Sequence, residues 1–139
     1  MAELRTLVPG RGEGRTLVLE DPLSFWGGLD ASTGRLIDVH HPQVGLEVSG
    51  RVLVMPSGRG SSSSSTVLAE AIRAGNGPAA IVLLDPDPIV ALGALVAAEL
   101  YGASVPIVVA DAEAYGAIVP GAPVVVVAEP ADATIIPSA

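Results

Sequence analysis

The chain has 139 residues, 50% hydrophobic and 16% charged, with 7 arginines against 15 acidic residues, a net charge of −8, and neither lysine nor cysteine. That composition excludes a Walker-type phosphate loop, a lysine Schiff base, thiol catalysis and thiolate metal sites within this chain. An acidic chain with four aromatic residues and no basic stripe also lacks the footprint of a nucleic-acid binder. Mean hydropathy is high at +0.56, yet the longest apolar run, Ile89 to Ala98, stops at Glu99. A membrane-crossing helix needs roughly 20 such residues. No basic stretch leads into an apolar segment at the N-terminus, so neither a membrane span nor a signal peptide is expected, and the expected location is cytoplasmic.

In chain order, Leu4–Val8 and Arg15–Glu20 read as two short strands joined by a tight turn. The turn is suggested by Gly10, Gly12 and Gly14, which tolerate positive φ. Residues 21–50 are loop-rich, punctuated by Asp21-Pro22, Gly27-Gly28 and His41-Pro42, with short strand candidates at Arg35–Val39 and Leu46–Val48. From Arg51 the texture changes. Arg51–Met55 is a buried strand, Thr66–Ala74 an amphipathic helix closed by Gly75-Asn76-Gly77-Pro78, and Ala79–Leu84 another apolar strand. After the turn Asp85–Pro88 come a second helix, Ile89–Tyr101, a strand, Val105–Ala110, a short helix, Asp111–Ile118, and a last strand, Val124–Ala128. Apolar strands alternating with helices predict an α/β domain with a parallel-sheet core built by right-handed crossovers. The expected organisation is one domain over 1–139: a β-rich N-terminal layer (1–50), strand–helix repeats (51–128) and a tail (129–139).

The segment with most chemical content is Gly58-Arg59-Gly60 followed by Ser61 to Ser65, placed between a strand and a helix. Glycines let backbone N–H groups approach an anion, the helix start carries partial positive charge, and Arg59 adds a full one. Serine is equally a helix N-cap residue, so capping and ligand contact both remain open for this run. It is not a dinucleotide fingerprint, because the third glycine is missing. Adjacent His40 and His41 point different ways and make a poor chelating pair, which favours a structural or rim role. Asp85 and Asp87 read as turn chemistry. Phe25-Trp26 in a glycine-rich loop either anchors the β layer or faces a partner.

Several segments, taken in order, resemble the small subunit, or swivel domain, of the aconitase X dehydratases. They are Asp21-Pro22-Leu23-Ser24-Phe25-Trp26-Gly27-Gly28-Leu29-Asp30, Thr33 to Asp38, His41-Pro42, Gly50 to Val54, Pro56 to Ser62, Pro88-Ile89 through Tyr101-Gly102, and Val105-Pro106-Ile107. The resemblance implies a swivelling β/β/α domain that closes over a large catalytic subunit holding an iron–sulfur cluster, with no metal or cofactor held by this chain. It further implies a catalytic serine from a Gly-Ser-Ser loop, here Gly60, Ser61 and Ser62, with Ser61 or Ser62 as base. Gly58, Arg59, Gly60 and Ser63 are expected to bind a small hydroxy-acid substrate. A serine alkoxide is tenable only where N–H groups, the helix end and Arg59 stabilise its charge. Conventional aconitases have an arginine directly after the paired serines. Ser63 stands there in this chain, which leaves carboxylate binding to Arg59 or the partner.

The expected function is therefore half of a two-subunit hydro-lyase, inactive alone, acting on cis-3-hydroxy-L-proline or on mevalonate 5-phosphate. A lysine-free surface is unlike the Lys/Glu-rich surface of hyperthermophiles and turns the expectation towards hydroxyproline. A non-catalytic docking module of the same fold is the alternative. A phosphohistidine carrier using His40 or His41 is disfavoured, since neither stands at a glycine-rich helix start.

Overall fold

The computed structural model describes residues 2–58 and 63–138. Its strands are β1 (Leu4–Val8), β2 (Gly10–Val18), β3 (Leu29–Asp30), β4 (Arg35–Leu36), β5 (Val52–Met55), β6 (Ala80–Leu83), β7 (Ile107–Ala110), β8 (Pro123–Glu129) and β9 (Asp132–Pro137). The helical elements are α1 (Phe25–Gly28), α2 (Ser63–Arg73), α3 (Pro88–Tyr101) and α4 (Ala112–Gly116). α1 is a helix in name only, because Trp26 (ψ 119°) and Gly27 (φ 77°) leave helical geometry.

Seven strands form one sheet in the order β1-β7-β6-β5-β2-β8-β9. The three central pairings, β7–β6, β6–β5 and β5–β2, are parallel. The outer ones, β1–β7, β2–β8 and β8–β9, are antiparallel. The sheet curls until β1 lies against β9, where the Thr6 hydroxyl donates to the Asp132 carbonyl at 3.3 Å. Alternation along β5, β6 and β7 explains the layering. Leu53, Met55, Ile81, Leu83 and Ile107 pack in one core with Leu68 and Ile72 of α2 and Val90 and Ala94 of α3. Val52, Val54, Ala80, Val82, Val108 and Ala110 fill a second core inside the curl with Val126, Ala128 and Ala133. Large side chains meet the helices; small ones let the sheet curve.

The α/β class expected from the sequence is the one observed, with three differences in how the ends are used. Leu4–Val8 and the strand after it do not form a hairpin, and they do not make a separate layer. β1 pairs with β7, while β2 enters the main sheet between β5 and β8, and among the described residues β3–β4 forms a small sheet apart. The expected glycine turn is itself strand: Gly10 to Arg15 pair with Ala128 to Pro123 of β8, and Thr16 to Val18 then pair with Val52 to Val54 of β5. Along that run β2 crosses the starts of β7, β6 and β5 in turn. A Cβ on Gly10 would meet Ser104 and Pro106, one on Gly12 would overlap the Ala79 carbonyl oxygen, and one on Gly14 would overlap the Gly50 carbonyl oxygen. Every second residue faces a crossing backbone, so every second residue is glycine. Finally, residues 132–137 of the expected tail form β9, in register with β8 from Asp132↔Glu129 to Pro137↔Val124.

The Asp-Pro turn before α3 has a definite task. Asp87 is the N-cap, its Oδ1 accepting from the amides of Ile89 (2.9 Å) and Val90 (3.2 Å), with Pro88 at the first helical position. Gly102 closes the helix in the left-handed region at φ 65°. Asp87→Ala is expected to lower stability by about 1 kcal/mol, read as a shift in the denaturant midpoint at unchanged slope.

Candidate functional site

The site is assembled from the C-terminal ends of β5 and β6 and the start of α2. Past β5, the carbonyl of Pro56 accepts the amides of Leu84 (3.1 Å) and Asp85 (2.9 Å), tying the loop after β5 to the loop after β6. Gly58 then forms a parallel bridge with Leu23. A Cβ at Gly58 would overlap the Asp87 carboxylate and stand 2.8 Å from the Val90 side chain, so a larger residue here would have to displace the side chain that caps α3. Arg59, Gly60, Ser61 and Ser62, the expected core of the site, lie outside the described residues. Ser63 is exposed and opens α2, which has no acidic residue in its first turn to offset the positive end of the helix.

Next to it, Ser64 is 3% exposed and takes part in a small polar cluster. Its hydroxyl accepts the Trp26 amide at 3.3 Å and lies 3.4 Å from the Ser24 hydroxyl, which donates to the Trp26 carbonyl at 2.9 Å. The segment Asp21–Gly28 is thus a strap, bridged to Gly58 on one side of the serine loop and to α2 on the other. Phe25 and Trp26 divide the two roles that the sequence leaves open. Phe25 is fully buried in the helix-side core, whereas Trp26 is 60% exposed.

His41 holds the strap's origin rather than a ligand. It is buried; its Nδ1 accepts the Gln43 amide at 3.0 Å, and its Nε2, donating, faces the Asp21 carbonyl at 3.2 Å. Gln43 continues the lashing by donating to the Val18 carbonyl and accepting the Glu20 amide. His40 is exposed, with its amide bonded to Asp38 Oδ1 at 2.9 Å. Beyond the strap, at the end of β3, the hydroxyl and amide of Ser32 hold the Asp30 carboxyl below the usual carboxylate range. His41→Ala leaves the Asp21 carbonyl and Gln43 amide without partners and is expected to cost about 1–3 kcal/mol, measured by thermal unfolding.

The described residues contain no group of three His, Cys, Asp or Glu able to hold a metal ion. No helix among them is long and apolar enough to cross a membrane. A cavity of about 800 Å³ runs along the β1–β9 seam, lined by Leu4, Val109, Ala133 and Ile135 among others, and none of the expected site residues lines it. Sequence reasoning missed Ser24 and Ser64. Five consecutive serines look alike until the residue across from one of them is known.

A curled β sheet with two helices on one face, and a glycine- and serine-rich loop leading into the first of them, defines a β/β/α domain of the aconitase type. The chain belongs to the aconitase X swivel-domain family, whose model matches residues 1–136. It is 52% identical over 103 residues to the cis-3-hydroxy-L-proline dehydratase of Pseudomonas aeruginosa, covering 74% of this chain and 18% of that protein. It is 43% identical over 95 residues to the phosphomevalonate dehydratase small subunit of Methanothermobacter thermautotrophicus, covering 68% of this chain and 72% of that one. Among solved structures, the holo-form of Thermococcus kodakaraensis aconitase X superposes with a TM-score of 0.83 at 31% identity, over 97% of both chains. The chain thus spans less than a fifth of the Pseudomonas relative, at 18% of its length.

Proposed function

We propose that this chain is the swivel half of a hydro-lyase that dehydrates a small hydroxy acid, cis-3-hydroxy-L-proline being the favoured substrate. The observation that carries the reading is the 52% identity to a protein named for that activity, over a stretch that makes up 74% of this chain. The rest of the catalytic machinery belongs to a large partner chain, in keeping with the name "small subunit" borne by the Methanothermobacter relative.

An iron–sulfur cluster, which this family implies, does not fit this chain's own residues. The sequence contains no cysteine, and the described residues offer no three-ligand cluster. The cluster belongs on the partner, and no step assigned to this chain runs through it. What this chain contributes is a base. In an α,β-elimination a proton leaves one carbon as hydroxide departs from its neighbour, and Ser61 or Ser62 takes that proton. A serine oxygen is a weak base unless its anion is stabilised. The first turn of α2 leaves N–H groups without intrahelical partners, no acidic residue stands there to cancel the helix end, and Arg59 is four residues upstream of Ser63. These elements favour the alkoxide, and Gly58, Arg59, Gly60 and Ser63 are the residues we propose to bind the substrate carboxylate.

Reconstitution with the large subunit, followed by assay of cis-3-hydroxy-L-proline and mevalonate 5-phosphate through product formation, tests the reading. Turnover of hydroxyproline by the complex, and by neither chain alone, is the expected result. Turnover of mevalonate 5-phosphate alone would transfer the assignment to that substrate, for which the 43% identity to the archaeal small subunit is the support. No turnover of either would overturn the enzymatic reading and favour a docking module.

A further inference from the structure

We infer that His41 is a proton-operated latch on the strap Asp21–Gly28. With a neutral ring it holds the strap to the sheet; with a charged ring it lets go. The ring's hydrogen-bond partners fix its state. The Gln43 amide can only donate, and it stands 3.0 Å from Nδ1, so Nδ1 carries a lone pair. The Asp21 carbonyl can only accept, and it stands 3.2 Å from Nε2, so Nε2 carries the proton. A second proton has one place to go, Nδ1, where it sets donor against donor. The ring is 5% exposed, which leaves water little access to replace the lost acceptor. Histidine is the side chain that changes charge between about pH 5 and 8, and a buried donor deprived of its acceptor is costly.

Gln43 is the other half of the latch. Its side chain donates to the Val18 carbonyl at 2.9 Å and accepts the Glu20 amide at 2.8 Å. Pushing the Gln43 backbone off Nδ1 therefore disturbs the exit of β2 as well. From that exit the strap runs through Leu23, bridged to Gly58, to Trp26, whose amide donates to Ser64 at 3.3 Å. Release at His41 thus reaches Gly58 and the first turn of α2. Among the described residues, the charged side chains around the ring come from two places. Glu20 and Asp21 follow β2, and Asp38 and His40 lie on the turn that carries His41. The Asp38 carboxylate accepts the His40 amide. β5, where the Val54 carbonyl accepts the Leu19 amide, brings no charge. The three carboxylates draw a proton to this corner, and the Gln43 amide resists its arrival on Nδ1.

The chain has two histidines and no cysteine, so few side chains compete for the range between about pH 5 and 7.5. Long-range ¹H–¹⁵N spectra of the full chain at about pH 7.5 should show the His41 ring protonated on Nε2 alone. On acidification to about pH 5, amide exchange at Glu20, Trp26 and Gln43 is compared with that at Val82 and Val108. Corrected for its intrinsic pH dependence, it should quicken about tenfold relative to those two. The latch stabilises the fold while the ring is neutral and is lost as pH falls. Wild-type Tm should therefore drop about 5 °C further over this range than that of His41→Gln, which keeps a donor and an acceptor but takes up no proton. His40→Gln, altered at the exposed ring, should keep the wild-type slope. Equal slopes in wild type and His41→Gln would overturn the latch. A His41 ring protonated on Nδ1 at about pH 7.5, or a Gln43 amide still protected once the ring is charged, would do the same. So would equal acceleration at Val82 and Val108, which would make His41 a contributor to global stability only. Should His41→Gln not fold, the wild-type spectra and exchange rates decide by themselves.

Discussion

Replacing the proposed serine base should reduce turnover in the reconstituted complex by about 10² to 10⁴-fold, the usual contribution of a positioned proton acceptor. Ser61→Ala and Ser62→Ala are to be compared one at a time, and only one is expected to fall this far. The other should lose a modest factor, through altered hydrogen bonding around the base. KM and the affinity for the large subunit should change little in the strongly impaired variant, because a hydroxyl-to-hydrogen change removes the proton acceptor and alters nothing else in the covalent chain. Single-turnover measurement separates chemistry from product release and identifies which serine carries the proton. Equal and full activity in both variants would refute the serine mechanism.

The second large effect concerns folding. Gly12→Ala puts a Cβ onto the Ala79 carbonyl oxygen, with the carbonyl carbon at 2.7 Å and the Ala80 Cβ at 3.2 Å. The obstruction is backbone, held in place by the bond from the Ala79 amide to the Arg51 carbonyl at 2.8 Å. It cannot be relieved by rotating a side chain. Overpacking of this kind costs about 3 kcal/mol, which for a chain of this size lowers Tm by roughly 10 °C. Alanine at exposed Gly116 is the matched control. Its Cβ would meet nothing within 4 Å and its φ is not positive, so Tm should stay nearly unchanged.

These two cases show where a sequence speaks plainly. β5, β6 and β7 are legible because each is a short, uninterrupted apolar run buried on both faces, and α3 because Asp87-Pro88 and Gly102 mark its ends. The glycines of β2 are not legible as strand, since what forbids a side chain at Gly12 lies at Ala79, far along the chain. β9 escapes notice for a related reason. Asp132–Pro137 is largely exposed and owes its conformation to the β8 ladder rather than to an apolar pattern of its own. The position of the serine loop, between a buried strand and a helix, could be read directly. The partners of Ser64 could not, because its burial is decided by Ser24 and Trp26 across the strap.

The path of β2 has a further consequence, for cooperativity. A single nine-residue strand joins the parallel ladder through Thr16–Val18 and the antiparallel ladder through Gly10–Arg15. Neither ladder can melt through β2 without freeing the edge of the other. The two halves of the sheet are therefore one unfolding unit, and amides of β5 and β8 should exchange with solvent at the same free energy of opening. A domain proposed to swivel as a body against a larger partner is, by this one strand, kept from coming apart as it moves.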